Sequence, residues 1–288
     1  MNLDLRTARA ALLGIAVVWP MMQHVDAAPV SVWRTFKSSP ATTIAGQGTS
    51  SPVIGATGPS GSAATSRIIG YFTPQTLASV GDKISLTFTV SFNDATGMSN
   101  GGDNFRYALF DTNGEATPLT ENIVGNGTTD TNAFVGYWAG VMTGTGTDGS
   151  IRERFDTANN DMFANATGTL YPAAINGTDV PLTGLIEGVG ISTPYAGELT
   201  IGRTATGITL SGGFSGNGGA NTFSVTEESP ISLTYGAVGF LNGSGISADQ
   251  LIFQNVDVTY TAIPEPSSLA LAELVGVLGT LALCPRQN

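Results

Sequence analysis

Two residue types on which enzymes commonly rely are almost missing. The chain of 288 residues has one cysteine, Cys284, and one histidine, His24. A single cysteine excludes an intramolecular disulfide, so stability must come from a core and backbone ladders. A single histidine so close to the N-terminus leaves the body of the chain without a Ser-His-Asp triad, a Cys-His dyad or a usual zinc site. Lysine occurs only at Lys37 and Lys83, and charged residues make up 11% of the chain, against about 25% in ordinary domains. Helical surfaces draw on Glu and Lys, so this scarcity argues against a helical protein. The net charge is −11. Residues 28–264 carry 18 acids against 8 bases with no basic cluster. Such a surface repels phosphate backbones, which excludes nucleic acid as a partner. The glycine-rich stretch Gly212–Gly219 lacks a P-loop lysine and reads as a loop.

What is present is a 41% apolar fraction, enough for a core, and a polar complement of Thr, Ser, Asn and Gly. The two ends differ from the middle. Arg6 and Arg9 precede an apolar run, Ala10–Trp19, which Pro20 ends. Val25 and Ala27 then supply small residues at −3 and −1 for cleavage between Ala27 and Ala28. This is the layout of a secretory signal helix over residues 1–27. The run is too short to span a bilayer, and the competing reading is a short buried N-terminal helix.

Residues 263–288 read Ile263-Pro264-Glu265-Pro266-Ser267-Ser268, then an apolar segment Leu269–Leu283, then Cys284-Pro285-Arg286-Gln287-Asn288. This tail resembles the PEP-CTERM sorting signal of bacteria. Pro264, Glu265 and Pro266 match its motif, Leu269–Leu283 its hydrophobic helix, and Arg286 its basic end. The resemblance implies export by the secretion machinery, transient membrane anchoring, and removal of the tail by an exosortase-type protease. The expected location is the bacterial envelope, surface or extracellular matrix. Two departures stand out: the basic end has one arginine, and Glu273 interrupts the apolar run. Fifteen helical residues span about 22 Å, short of a hydrocarbon core of about 30 Å. A C-terminal helix packed on the domain is the alternative.

Between the ends, residues 28–262 form the expected domain, with 28–64 less regular: one strand and a long loop. In Ile84–Phe92 apolar residues fall at every second position, the half-buried strand signal. Further strands are expected at Phe105–Phe110, Ala133–Met142, Ser150–Phe155, Glu198–Arg203, Gly207–Leu210, Thr222–Thr226, Ser229–Tyr235, Val238–Leu241 and Gln250–Tyr260. A short helix near Thr157–Phe163 is the one helical candidate. Many short strands separated by turn residues indicate an all-β sandwich or barrel. Gly81-Asp82-Lys83, the run Asn104–Phe110 and the closing run Asp249–Val258 resemble jelly-roll domains of the concanavalin A/laminin-G type. That resemblance implies a jelly-roll β-sandwich.

Paired carboxylates are the remaining catalytic option, with Glu153, Glu187, Glu198, Glu227 and Glu228 as candidates. The alternating Glu-x-Asp-x-Glu strand motif of laminarinase-like jelly rolls is absent, and solvated carboxylates explain these residues better. Sugar binding asks for an exposed aromatic face and neutral hydrogen-bonding groups. Tyr137 and Trp138 face opposite ways on one strand, so one is expected in the core and the other as a stacking platform, with Asn104, Arg106 and Tyr107 as further candidate contributors. Asn93-Asp94 with Asp103-Asn104, and Asp111-Asn113-Glu115, offer oxygen ligands for calcium, although these are also ordinary turn residues. No other cofactor is indicated. The leading expectation is a non-catalytic surface or matrix protein with a lectin-like sandwich that associates with exopolysaccharide. A structural adhesin without a sugar site and a carboxylate-based glycoside hydrolase are the alternatives.

Overall fold

The structure is a computed structural model. It describes residues 24–37, 42–56, 67–93, 97–98, 101–113, 123–124, 133–143, 150–154, 162–163, 194–216, 219–243, 246–248 and 250–263. Val25–Ala262 forms one compact unit. The sorting motif Pro264, Glu265 and Pro266, the segment 269–283 and most of Thr157–Phe163 lie outside the described residues. Among the described residues no helix is long and apolar enough to cross a membrane.

The described elements are all strands: β1 (His24–Ala27), β2 (Val32–Lys37), β3 (Thr42–Ala45), β4 (Val53–Ala56), β5 (Arg67–Thr76), β6 (Lys83–Asn93), β7 (Gly97–Met98), β8 (Gly101–Asp111), β9 (Ile123–Val124), β10 (Val135–Thr143), β11 (Ser150–Arg154), β12 (Tyr195–Arg203), β13 (Ile208–Gly216), β14 (Gly219–Glu227), β15 (Thr234–Asn242), β16 (Ile246–Ser247) and β17 (Gln250–Ala262). The front sheet runs β14-β13-β12-β6-β17-β4-β3, with β1 also paired to β17. The back sheet runs β11-β10-β8-β15-β5-β2-β9. The chain changes sheet repeatedly: β5 is in the back, β6 in the front, β8 to β11 in the back, β12 to β14 in the front, β15 in the back and β17 in the front. Neighbours in each sheet are therefore often remote in sequence, β6 lying between β12 and β17 and β15 between β8 and β5. This is the connectivity of a jelly-roll sandwich rather than a meander, and the expected fold class holds.

The alternation in β6 does what it predicts. Ile84, Leu86, Phe88, Val90 and Phe92 are buried, while Thr87 is exposed and Ser85 and Thr89 are half-buried. Phe88 sits at the centre of an aromatic cluster that joins the sheets, with ring centroids 5.2 Å from Tyr107, 4.9 Å from Phe240 and 6.0 Å from Phe105. Edge-to-face packing of this kind favours the pairing beyond the area buried.

Three expectations need correction. The region 28–64 holds three strands, β2 to β4, rather than one strand and a long loop. Gly212–Gly219 is not a loop: Gly212–Gly216 closes β13 and Gly219 opens β14, the two strands forming an antiparallel hairpin. Its glycines answer to close approach. A Cβ on Gly212 would stand 2.0 Å from the Glu198 carbonyl oxygen, and one on Gly216 would stand 2.4 Å from the Tyr195 ring. Finally, Ser229–Tyr235 and Val238–Leu241 are not two strands. Ser229–Leu233 is a crossover, and Thr234–Asn242 is one strand with a bulge at its pairing to β5, between Tyr235 and Ala237. Pro74, which has no N–H for the ladder, lies on the opposing stretch of β5.

Candidate functional site

The front sheet turns one face to the core and the other outward, and register lines up the outward residues in rows. One row is Thr259, Ser85, Thr200, Ser211 and Ser224. The next is Asp257, Thr87, Glu198, Gly213 and Thr222. The third is Gln254, Thr89, Ala196, Ser215 and Ala220. Every side chain in the rows is small or polar, so the face forms a shallow trough of hydroxyls. Ser85 and Thr200 share a hydrogen bond at 2.8 Å, and the Thr200 hydroxyl donates to Glu198 Oε1 at 3.0 Å.

Over the last two rows the trough deepens into an open cleft of about 700 Å³. Thr87, Thr89, Glu198, Ser211, Ser215 and Thr222 line its walls, and Phe88, Phe214 and Phe223 lie beneath it. Gly213, lacking a side chain, leaves the space beside Glu198 clear. No Lys or Arg is among the described lining residues. The floor is held from behind: the Tyr107 hydroxyl, on the back sheet, donates to the Gly213 carbonyl oxygen at 3.0 Å.

Asn255 completes the cleft. In β17 the ladder to β6 shifts between Gln254 and Asp257, so Asn255 and Val256 form a bulge. Asn255 takes a left-handed φ of 52°, which asparagine tolerates better than most residues. The Val256 N–H bonds the Ser50 carbonyl at 2.8 Å on the other side. The bulge keeps Val256 in the core and leaves Asn255 exposed at the cleft. Bulges commonly re-aim a side chain beside a site in this way.

The residues expected to bind ligand lie elsewhere. Tyr137 and Trp138 do face opposite ways, but both are buried, at 0% and 1% exposure. Tyr137 belongs to the core between the sheets, and its hydroxyl accepts the Ile231 N–H at 3.1 Å. Trp138 belongs to a second apolar cluster on the outer face of the back sheet, with Ile69, Phe110 and Phe163. The Arg106 and Arg152 guanidinium carbons lie 4.5 and 5.4 Å from its ring centroid. Covered on this side, Trp138 offers no open face for a sugar, which corrects the stacking-platform expectation. Arg106 also donates to the Phe163 carbonyl. Tyr107 is in the core. Asn104 and Asp103 fall in β8, but their side chains lie outside the described residues, as does Asp94.

The Asp111 carboxylate accepts from the Asn113 N–H at 2.7 Å and the Ser232 hydroxyl at 2.6 Å, forming an Asx turn in which Asn113 has φ 51°. Among the described residues no three His, Cys, Asp or Glu side chains gather to hold a metal. Of the carboxylate candidates, Glu187 lies outside the described residues, Glu228 is exposed, and only Glu198 reaches the cleft. Glu153 faces its neighbour Tyr137 across β10 and β11. Burial, and then the charge of Glu227, push its pKa up to about 7, against a smaller pull from the Ile231 N–H. Glu227 is 6% exposed and accepts the Ser229 N–H at 2.6 Å. Glu153 is therefore not in the cleft with Glu198. At the N-terminal processing position, Val25 and Ala27 are exposed in β1, whereas Ala28 is 2% exposed and its N–H donates to the Val258 carbonyl at 2.8 Å.

The arrangement defines an all-β jelly-roll sandwich with a hydroxyl-lined cleft, carrying one carboxylate, on one outer face. No protein-family model matches the sequence, and no curated protein does. Solved structures with a similar arrangement include a basic winged bean lectin with Tn-antigen, at 10% identity and TM-score 0.46, covering 84% of this chain and 100% of that one. A peanut lectin with a nine-residue peptide follows at 13% identity and TM-score 0.43, covering 84% and 98%. Lectin II from Ulex europaeus follows at 10% identity and TM-score 0.40, covering 83% and 97%.

Proposed function

We propose that this chain is an exported, non-catalytic surface or matrix protein whose front-sheet cleft binds exopolysaccharide. The cleft carries the reading. Sugars present hydroxyls that both donate and accept, and Thr87, Thr89, Ser211, Ser215, Thr222 and the Asn255 amide offer both roles on a floor that is already folded. The bulge that turns Asn255 toward the cleft places an adaptable amide there, where plain alternation would not. Glu198 stands in the cleft without a carboxylate partner among the described lining residues, which favours binding over two-carboxylate hydrolysis. Export and tail removal rest on the signal layout at residues 1–27 and on Pro264-Glu265-Pro266 before the apolar segment. Secretion machinery and an exosortase-type protease are the partners this implies.

Two measurements test the reading. Protein recovered from its native host is expected to begin at Ala28 and end near Pro264 by intact mass; full-length protein kept inside the cell would end the export argument. Ser215→Trp fills the cleft from its wall. It is expected to lower affinity for the host's exopolysaccharide at least about tenfold, a loss of about 1.4 kcal/mol, with an unchanged unfolding midpoint. Equal binding by both proteins would place the site elsewhere.

A further inference from the structure

We infer that the cleft selects sugars bearing a free amine, with Glu198 as the residue that sets this preference; the inference rests on the polysaccharide-binding reading above. Glu198 is the one ionisable side chain among the described lining residues, and it is exposed on the central strand of the cleft. Its neighbours in the row are the Thr87 hydroxyl on one side and the bare backbone of Gly213 on the other. The gap at Gly213 lets a ligand group approach the carboxylate from above β13 instead of meeting a side chain. The Thr200 hydroxyl donates to Oε1 from one row away, which orients the group without neutralising it.

Among the described lining residues no Lys or Arg competes with a ligand for this charge. In the front sheet the next cation on this face is Lys83, four residues from Thr87 along β6, or about 13 Å at strand rise. A second carboxylate, Asp257, sits across Thr87 in the same row and is exposed. The two acids stand about two strand spacings apart, about 10 Å, with a hydroxyl between them. This row repels uronic acids and other anionic sugars, accepts neutral ones through its hydroxyls, and attracts an ammonium. The ligand class that satisfies it best is a polymer of hexosamine with unacylated amines.

The test is calorimetric titration of the full chain and of Glu198→Gln with three probes: a glucosamine oligosaccharide, its fully N-acetylated counterpart and a uronic acid oligosaccharide of equal length. The wild-type chain is expected to bind the free-amine probe roughly two- to fivefold more tightly than the acetylated one, the range of an exposed ion pair. That margin should shrink as salt is raised. Glu198→Gln is expected to bring the ratio of the two affinities close to one and to remove the salt dependence of that ratio. A purely structural role for Glu198 would lower both affinities alike and leave the salt dependence in place. Acetylated-probe binding with no amine preference, a preference that survives Glu198→Gln, or uronic acid binding as tight as the amine's would overturn the inference alone. Binding of none of the probes would overturn it together with the reading beneath it.

Discussion

The two sheets share a core but differ on their outer faces. The front sheet's outer face is open and made of Thr, Ser, Ala and Gly, with Glu198 and Asp257 as its acids in the cleft rows. The back sheet's outer face is shut: Ile69, Phe110 and Trp138 are buried there at 0%, 0% and 1% exposure. Register places Arg34, Arg67, Arg106, Arg152 and Arg154 on that same face. Of the six arginines among the described residues, five thus lie on the covered face, and the sixth, Arg203 at the end of β12, donates to the Leu77 carbonyl. Burial on both sides makes the back sheet the stability-bearing layer. The front sheet, wet on one side, presents its polar side chains to solvent.

The sharpest way to break this contrast is to truncate the same kind of position on each outer face. Trp138→Ala is expected to cost about 3–5 kcal/mol in denaturant unfolding, as for other buried aromatic truncations. A loss under 1 kcal/mol would mean that the back face is not a packed layer. A second test concerns Glu153, between the faces. Its folded pKa of about 7 lies above the ordinary 4.5 of a glutamate, so the folded state binds its proton more tightly than the unfolded state. Stability should therefore fall as pH rises from about 4.5 to 7 and then level off. Glu153→Gln should remove that slope, gaining on the order of 1 kcal/mol at pH 8 and nothing at pH 4; the half-exposed setting keeps the figure well below the full shift. A slope unchanged in the variant would assign the titration to another group. The smallest effect belongs to the open face, where Thr209→Ala should change stability by less than about 0.5 kcal/mol.

The same contrast explains which elements could be read from the sequence. β6 was legible because one side of it is wet, so its pattern alternates. β5 escaped because Ile68 and Phe72 face the core while Ile69 and Tyr71 face the covered outer layer. A strand buried on both faces reads as a short apolar run without period. β15 was split because its bulge brings Tyr235 and Val238 to the same side. The cleft was only partly legible. Glu198 drew notice as a carboxylate, but the hydroxyls that line the cleft with it come from three other strands, β6, β13 and β14, that only tertiary pairing brings together. Asn255 did leave a trace: Leu251 and Phe253 keep one phase and Val256 and Val258 the other, and that slip marks the bulge. Tyr137 and Trp138 misled because a large aromatic pair can as readily fill two cores as serve one surface.

The hydrogen bond from Tyr107 to the Gly213 carbonyl runs through the sandwich to the underside of the cleft. Burial, with a smaller contribution from Glu198, pushes the phenol's pKa far up, so it remains a donor at every physiological pH. A chain that cannot form an internal disulfide thereby ties the floor of its cleft to the opposite sheet. On the proposed reading, a floor tied from behind lowers the ordering cost of binding on the protein side, and the affinity of such a shallow trough depends on how much freedom the incoming chain itself must surrender.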